Sequence, residues 1–175
     1  MESYFLLHMS DRVQRPLTIL GLPSRYQRVV DKKAFDRLDQ AIVAYFCAEA
    51  QEEIPCVLHD PSFLISDELK KLFCLYMPDL QMKIVQLFAG EKERHENCMY
   101  WLPYFRSVSC LHKDAERYPD GSIKKLIIDK TRLPHIPIFR VNEILEFRVI
   151  VELSVAESIL RRCPYGVGLT PVEVK

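Results

Sequence analysis

Glycine is scarce in this chain of 175 residues: Gly21, Gly90, Gly121, Gly166 and Gly168 are the full set. A loop that cradles phosphate brings backbone N–H groups close to the anion, and that approach needs glycines at fixed spacing. Neither a Gly-x-x-x-x-Gly-Lys loop nor a Gly-x-Gly-x-x-Gly turn can be assembled from these positions, which excludes the usual nucleotide-binding loops. A Gly-x-Ser-x-Gly nucleophile elbow is missing as well. Gly166-Val167-Gly168 reads instead as the exit from a helix.

A charge excess of either sign is also lacking, with 24 Lys plus Arg against 24 Asp plus Glu. Nucleic-acid binders usually carry a basic excess or a basic face. Here the basic clusters are short (Lys70-Lys71, Lys124-Lys125, Arg161-Arg162) and read as the solvated sides of elements, so no nucleic-acid partner is expected. No apolar run reaches the roughly 20 residues that a membrane span needs. The first residues, Met1 to Leu7, hold an acid but no basic n-region, and their apolar run ends at His8, so they do not read as a secretory signal.

What is present fits an ordinary globular chain: 49% hydrophobic and 27% charged residues. The length suits a single domain over 1–175 that needs neither disulfide nor metal to hold its core. Of the six cysteines several sit in apolar company, as in Tyr45-Phe46-Cys47 and Phe73-Cys74-Leu75. They read as reduced, packed thiols, and the expected compartment is a reducing cytoplasm.

The expected fold class is α+β, with a few helices on one mixed or mostly antiparallel sheet. Tyr4 to Met9 reads as the first strand, and residues 10–30 as loop, broken by Pro16, Gly21 and Pro23. Over 34–50, the spacing of Phe35, Leu38, Ile42 and Tyr45 favours a helix from Asp31 or Asp36, with a strand over 41–47 as the alternative. Ser66 is a good N-cap, Asp67 and Glu68 suit the first turn, and Leu69, Leu72, Phe73 and Tyr76 share a face that Pro78 ends. Strands follow at Met82 to Phe88, Met99 to Cys110, Ile123 to Asp129, Ile136 to Val141 and Glu146 to Glu152. Ser154 to Glu157 reads as a capping box ahead of a helix with Val155, Ile159 and Leu160 buried, and Val167 to Val174 closes the chain as a strand. Two strand, serine-capped helix, strand units result, over 63–88 and 147–174.

The cysteines and histidines allow one metal arrangement: His95-x-x-Cys98 with Cys110-x-His112 would supply two nitrogens and two sulfurs for tetrahedral zinc. The plainer reading is a polar loop histidine, packed thiols and a histidine at a strand end, and no metal or cofactor is expected. His59-Asp60 has the form of a metal-phosphohydrolase dipeptide, but no helix carries its further ligands, so it reads as the turn before the strand at 63. No enzyme is expected. The aromatic run from Met99 to Arg106 holds the single tryptophan, and Tyr100, Trp101, Tyr104 and Arg106 are residue types enriched at binding hot spots. Whether this strand fills the core or awaits a partner stays open.

Several segments occur in a familiar order: Asp60-Pro61-x-Phe63-Leu64-Ile65-Ser66-Asp67-x-Leu69-Lys70, Tyr100-Trp101-x-Pro103, Lys125-Leu126-Ile127-Ile128-Asp129, Ile138-Phe139-Arg140, Ala156 to Arg162, and Tyr165-Gly166-Val167-Gly168-Leu169. Over roughly 55–174 the chain resembles bacterial immunity proteins of polymorphic toxin systems, while residues 1–50 form a variable part. The resemblance implies a non-catalytic protein that neutralises a cognate protein toxin by binding it, with no cofactor. Against a nuclease toxin, acidic groups would meet the basic substrate groove; Glu91, Glu93 and Glu96 are the candidates, and a solvated charged loop is their plainer reading. A ligand-sensing domain and a His/Cys metal enzyme are the competing readings.

Overall fold

The computed structural model describes residues 3–14, 17–47, 54–89, 97–162 and 164–175. The fold is α+β. The strands do not form the one sheet expected from sequence: among the described residues two six-stranded sheets and a two-stranded ribbon take them up. The chain divides into two compact units, one of 1–8, 105–162 and 168–175, the other of 9–104 and 163–167. No linker marks these boundaries in the sequence; two of them fall inside strands, at His8/Met9 and Val167/Gly168.

The first unit contains β1 (Tyr4–Met9), β8 (Ser107–Val108), β9 (Glu116–Arg117), β10 (Ile123–Lys125), β11 (Ile127–Ile128), β12 (Ile138–Val141), β13 (Val149–Glu152) and β14 (Val167–Val174). Its sheet runs in the order β11-β14-β1-β13-β12-β8. β1 and β12 flank β13 antiparallel, while β11 on β14 and β8 on β12 are parallel. Alternation places Tyr4, Phe139 and Ile150 on one face, where the Tyr4 and Phe139 rings meet edge-on at 6.2 Å. The expected strand over 123–129 breaks at Leu126, because β10 pairs with β9 in the ribbon whereas β11 joins the main sheet.

The helix α3 (Leu153–Arg162) departs from its expected start. It follows β13 directly, so Ser154 lies inside the first turn and its hydroxyl donates to the Glu152 carboxylate instead of capping the helix. Val155, Ala156 and Ile159 are buried, but Leu160 is exposed. At about 100° per residue, Leu160 stands roughly a quarter turn from the centre of that buried arc.

The second unit contains β2 (Thr18–Leu20), α1 (Lys32–Asp36), β3 (Ala41–Cys47), β4 (Val57–Leu58), β5 (Leu64–Ser66), α2 (Asp67–Tyr76), β6 (Met82–Ala89) and β7 (Cys98–Pro103). Its sheet runs β2-β3-β6-β7-β5-β4; only the central β3–β6 pairing is parallel. The helix favoured over 34–50 is not formed. Asp31 accepts the Ala34 N–H at 3.0 Å and starts a helix of only five residues, after which the β-branched and aromatic stretch at 41–47 pairs as a strand. The helical spacing of Phe35 and Leu38 with Ile42 and Tyr45 was produced by the length of the connecting turn. Phe35, Leu38, Tyr26 and Leu22 cover one face of the sheet and pack on Ala44, Phe46, Val85, Leu87, Tyr100 and Leu102.

The expected cap of α2 is present: Ser66 Oγ accepts the Leu69 N–H at 3.4 Å, with Asp67 and Glu68 in the first turn and Leu69, Leu72 and Phe73 buried. β7 stops at Pro103, whose ring nitrogen has no N–H for the ladder, and does not run on to Cys110.

Two glycines with nearly the same backbone separate strain from crowding. Gly21 (φ +77) has open space where a Cβ would point, whereas a Cβ on Gly166 (φ +76) would lie 2.4 Å from the Pro55 Cβ. Gly21→Ala is expected to cost about 1 kcal/mol through the left-handed backbone alone. Gly166→Ala should cost about 3 kcal/mol or more, since Pro55 must also move. Urea-unfolding midpoints measure both, and equal losses would show that the close approach to Pro55 does not matter.

Candidate protein-binding face

The period of two along a strand sends alternate side chains to opposite faces. On β3 it sends Ala44 and Phe46 into the core, and Ala41, Val43, Tyr45 and Cys47 outward. The pairing register carries this outer face across the sheet. Leu20 sits opposite Tyr45, and Tyr45 opposite Phe88; Val43 sits opposite Gln86, and Gln86 opposite Met99; Ala41 sits opposite Ile84, and Ile84 opposite Trp101. No outward residue in these rows carries a charge.

Half of this face is covered. α2 packs on β5 and β7. The Trp101 indole N–H donates to Asp67 at 3.2 Å, and the Lys70 ammonium stands 4.4 Å from the ring centre. Asp67 also pairs with Lys71 at 2.8 Å, one helical turn on. The Lys71 ammonium, and then the Trp101 N–H and Lys70, hold the Asp67 carboxyl below its usual range.

The other half is open. Leu20 (48%), Val43 (53%), Tyr45 (57%), Phe88 (37%) and Met99 (37%) are all exposed, and the rings of Tyr45 and Phe88 lie 6.5 Å apart. Scattered exposed apolar residues are normal, but these form contiguous rows on four strands. The polar member, Gln86, spends its amide inside the sheet by donating to the Cys98 carbonyl at 3.1 Å. The surface is therefore cheap to desolvate, with aromatic anchors among aliphatic neighbours.

The binding residues expected on the aromatic run are mostly used internally. Tyr100 is buried, its hydroxyl donates to the Pro55 carbonyl, and desolvation pushes its pKa far up. Trp101 is half-buried under α2. Tyr104 is half-buried, 5.3 Å from Phe35 and with Lys32 5.7 Å from its ring. Arg106 is exposed and belongs to the first unit. From that run only Met99 reaches the open face. Its other members were missed because the period-two signal over 41–47 was hidden under a helical spacing.

Glu91, Glu93, Glu96 and His95 lie outside the described residues. Of the other sequence-selected metal ligands, Cys98 is half-buried in the second unit, and desolvation pushes its thiol up to about 11. Cys110 is buried in the first unit, with its thiol pushed up to about 12, chiefly by desolvation. His112 Nδ1 accepts the Asp114 N–H at 3.2 Å. Among the described residues no group of three or more His, Cys, Asp or Glu side chains gathers as a metal site. His59 is committed to structure, its Nε2 accepting the Met9 N–H at 2.9 Å and its ring edge-on to Phe63. No helix among the described residues is long and apolar enough to cross a membrane.

No protein-family model matches the chain, and no curated protein matches it.

Because Asp67 titrates lower in the folded state, its stabilising contribution is complete above the ordinary carboxylate value, about 4. It is lost as pH falls through the folded-state value. Fluorescence of the single tryptophan reads this directly. Acidification below about pH 4 should shift Trp101 emission, and Asp67→Asn should show an altered emission already at pH 7. An Asp67→Asn spectrum identical to wild type at pH 7 would mean that the carboxylate does not hold the indole.

Proposed function

We propose that this chain is a non-catalytic cytoplasmic protein that neutralises a cognate bacterial toxin by binding it, and that the open face of β2, β3, β6 and β7 is the binding surface. One observation supports a protein partner above all: a contiguous, uncharged, aromatic-bearing sheet face stands exposed on a sheet whose other face carries the core. A toxin as that partner rests on the resemblance of residues 55–174 to immunity proteins. The open face predicts a partner surface that is itself largely uncharged, because a charge buried against it would find no counter-charge.

The test is capture of the tagged chain from its own bacterium, followed by identification of what co-purifies. A single stoichiometric partner with a toxin domain is the expected result. Tyr45→Arg and Val43→Glu replace exposed side chains, so the fold should persist while affinity falls by about 30-fold or more, the scale of a lost hot spot. A folded double variant that keeps the partner would remove this face as the surface, and a partner without a toxic activity would remove the toxin. Charge reversal at Glu91, Glu93 and Glu96 is the companion experiment. Weakened binding would mark a basic nuclease groove as a second contact, and unchanged binding would dismiss those acids.

A further inference from the structure

The first unit holds a cleft of about 410 Å³ whose lining combines apolar and cationic side chains. Leu6, Leu126 and Val172 are among the apolar ones, and Lys124, Lys125 and Arg148 are the cations. The volume falls within the range of small-molecule sites, roughly 300–1,000 Å³. We propose that this cleft binds an apolar monocarboxylate, with its stem against the apolar lining residues and its carboxylate at Arg148. The proposal is independent of the toxin-binding face.

Arg148 carries the argument. Its nearest carboxylate, Glu146, stands 4.0 Å from Nη2, beyond hydrogen-bond length. Glu146 Oε1 instead accepts the Ile123 N–H at 2.8 Å. The Arg148 Nε and the Glu146 Oε2 are both buried without a hydrogen-bond partner among the described residues, so the Nη groups are the donors left for a ligand. A guanidinium in a cavity wall without a hydrogen-bonded carboxylate is suited to an incoming one, which it grips through paired N–H donors.

The lysines have partners, but ones they can share. Lys124 pairs with Glu116 and Lys125 with Glu173, each at 2.7 Å and each about half exposed. Exposed pairs of this kind contribute little, so reorienting either lysine costs little. Glu173 is the one carboxylate on the lining, and it is also 3.6 Å from the Lys175 ammonium, so it keeps a counter-charge when Lys125 turns to a ligand. Thr170, also on the lining, is held by His8, with Nε2 3.0 Å from the hydroxyl.

Titration calorimetry of the full chain with octanoate, octanol and octylamine tests the proposal, since the three probes share a stem and differ in charge. Octanoate should bind saturably at one site, with octanol and octylamine weaker by about tenfold or more, the scale of a lost charge-assisted hydrogen bond. Arg148→Gln should weaken octanoate by a similar factor. Lys124→Gln, on a half-exposed side chain, should weaken it less and leave the thermal midpoint unchanged. If Arg148→Gln does not fold, Lys124→Gln and the octanol comparison decide. No saturable octanoate binding, octanol binding as tightly, or folded variants that bind octanoate like wild type would each overturn the proposal.

Discussion

The parallel pairing of β3 with β6 sits at the centre of the second unit and determines both faces of its sheet. Its register, Ala41 against Ile84 through Phe46 against Ala89, puts Ala44, Phe46, Val85 and Leu87 into the core. The same register puts Val43, Tyr45, Gln86 and Phe88 outside. A slip of one residue would turn the fully buried Phe46 to water and Tyr45 into a space filled by Phe35 and Tyr26. The open face is thus the necessary other side of a tightly specified core, and its apolar character is a separate choice. Core packing does not require Tyr45 or Phe88 to be aromatic. A sheet with one face open to solvent usually carries polar side chains there, and this mixed sheet does not.

α2 gives a measure of what the open half lacks. Where the helix lies on the sheet, Trp101 is shielded and its indole N–H satisfied by Asp67. Beyond the helix, Met99, two residues back on the same strand face, is exposed. The boundary between filled and open surface therefore runs across a single strand. A partner seated beside α2 would meet a ready-made apolar floor with a charged margin of Asp67, Lys70 and Lys71 at one side.

Much of the fold was legible in the sequence wherever one local rule acted alone. Ser66 with its two acids predicted a cap that is present, and Tyr4 to Met9 and Val167 to Val174 form strands as their patterns require. Reading failed where two periodicities overlapped. Phe35 and Leu38 belong to a real helical turn, and continuing their spacing through Asp39-Gln40 disguised the alternation that follows. The capping box at Ser154 was correct as a pattern but was overridden, because β13 leads straight into the helix. The aromatic run at 99–106 was singled out by composition, and composition does not reveal which face a helix will cover. Sheet membership was beyond local pattern altogether, since strands adjacent in sequence separate between the two units.

The order of strands in the first unit bears on how the chain is made. β1 lies between β13 and β14, and its antiparallel partner Val149–Glu152 emerges from the ribosome roughly 140 residues after it. At a synthesis rate of about 5–20 residues per second, that leaves the apolar strand Tyr4–Met9 without its partners for roughly 7–30 s. Meanwhile the 9–104 stretch, nearly all of the second unit, is complete and free to fold. The nascent chain thus carries the apolar strand Tyr4–Met9 unpaired until β13 has been made, a segment suited to capture by a chaperone until its neighbours arrive.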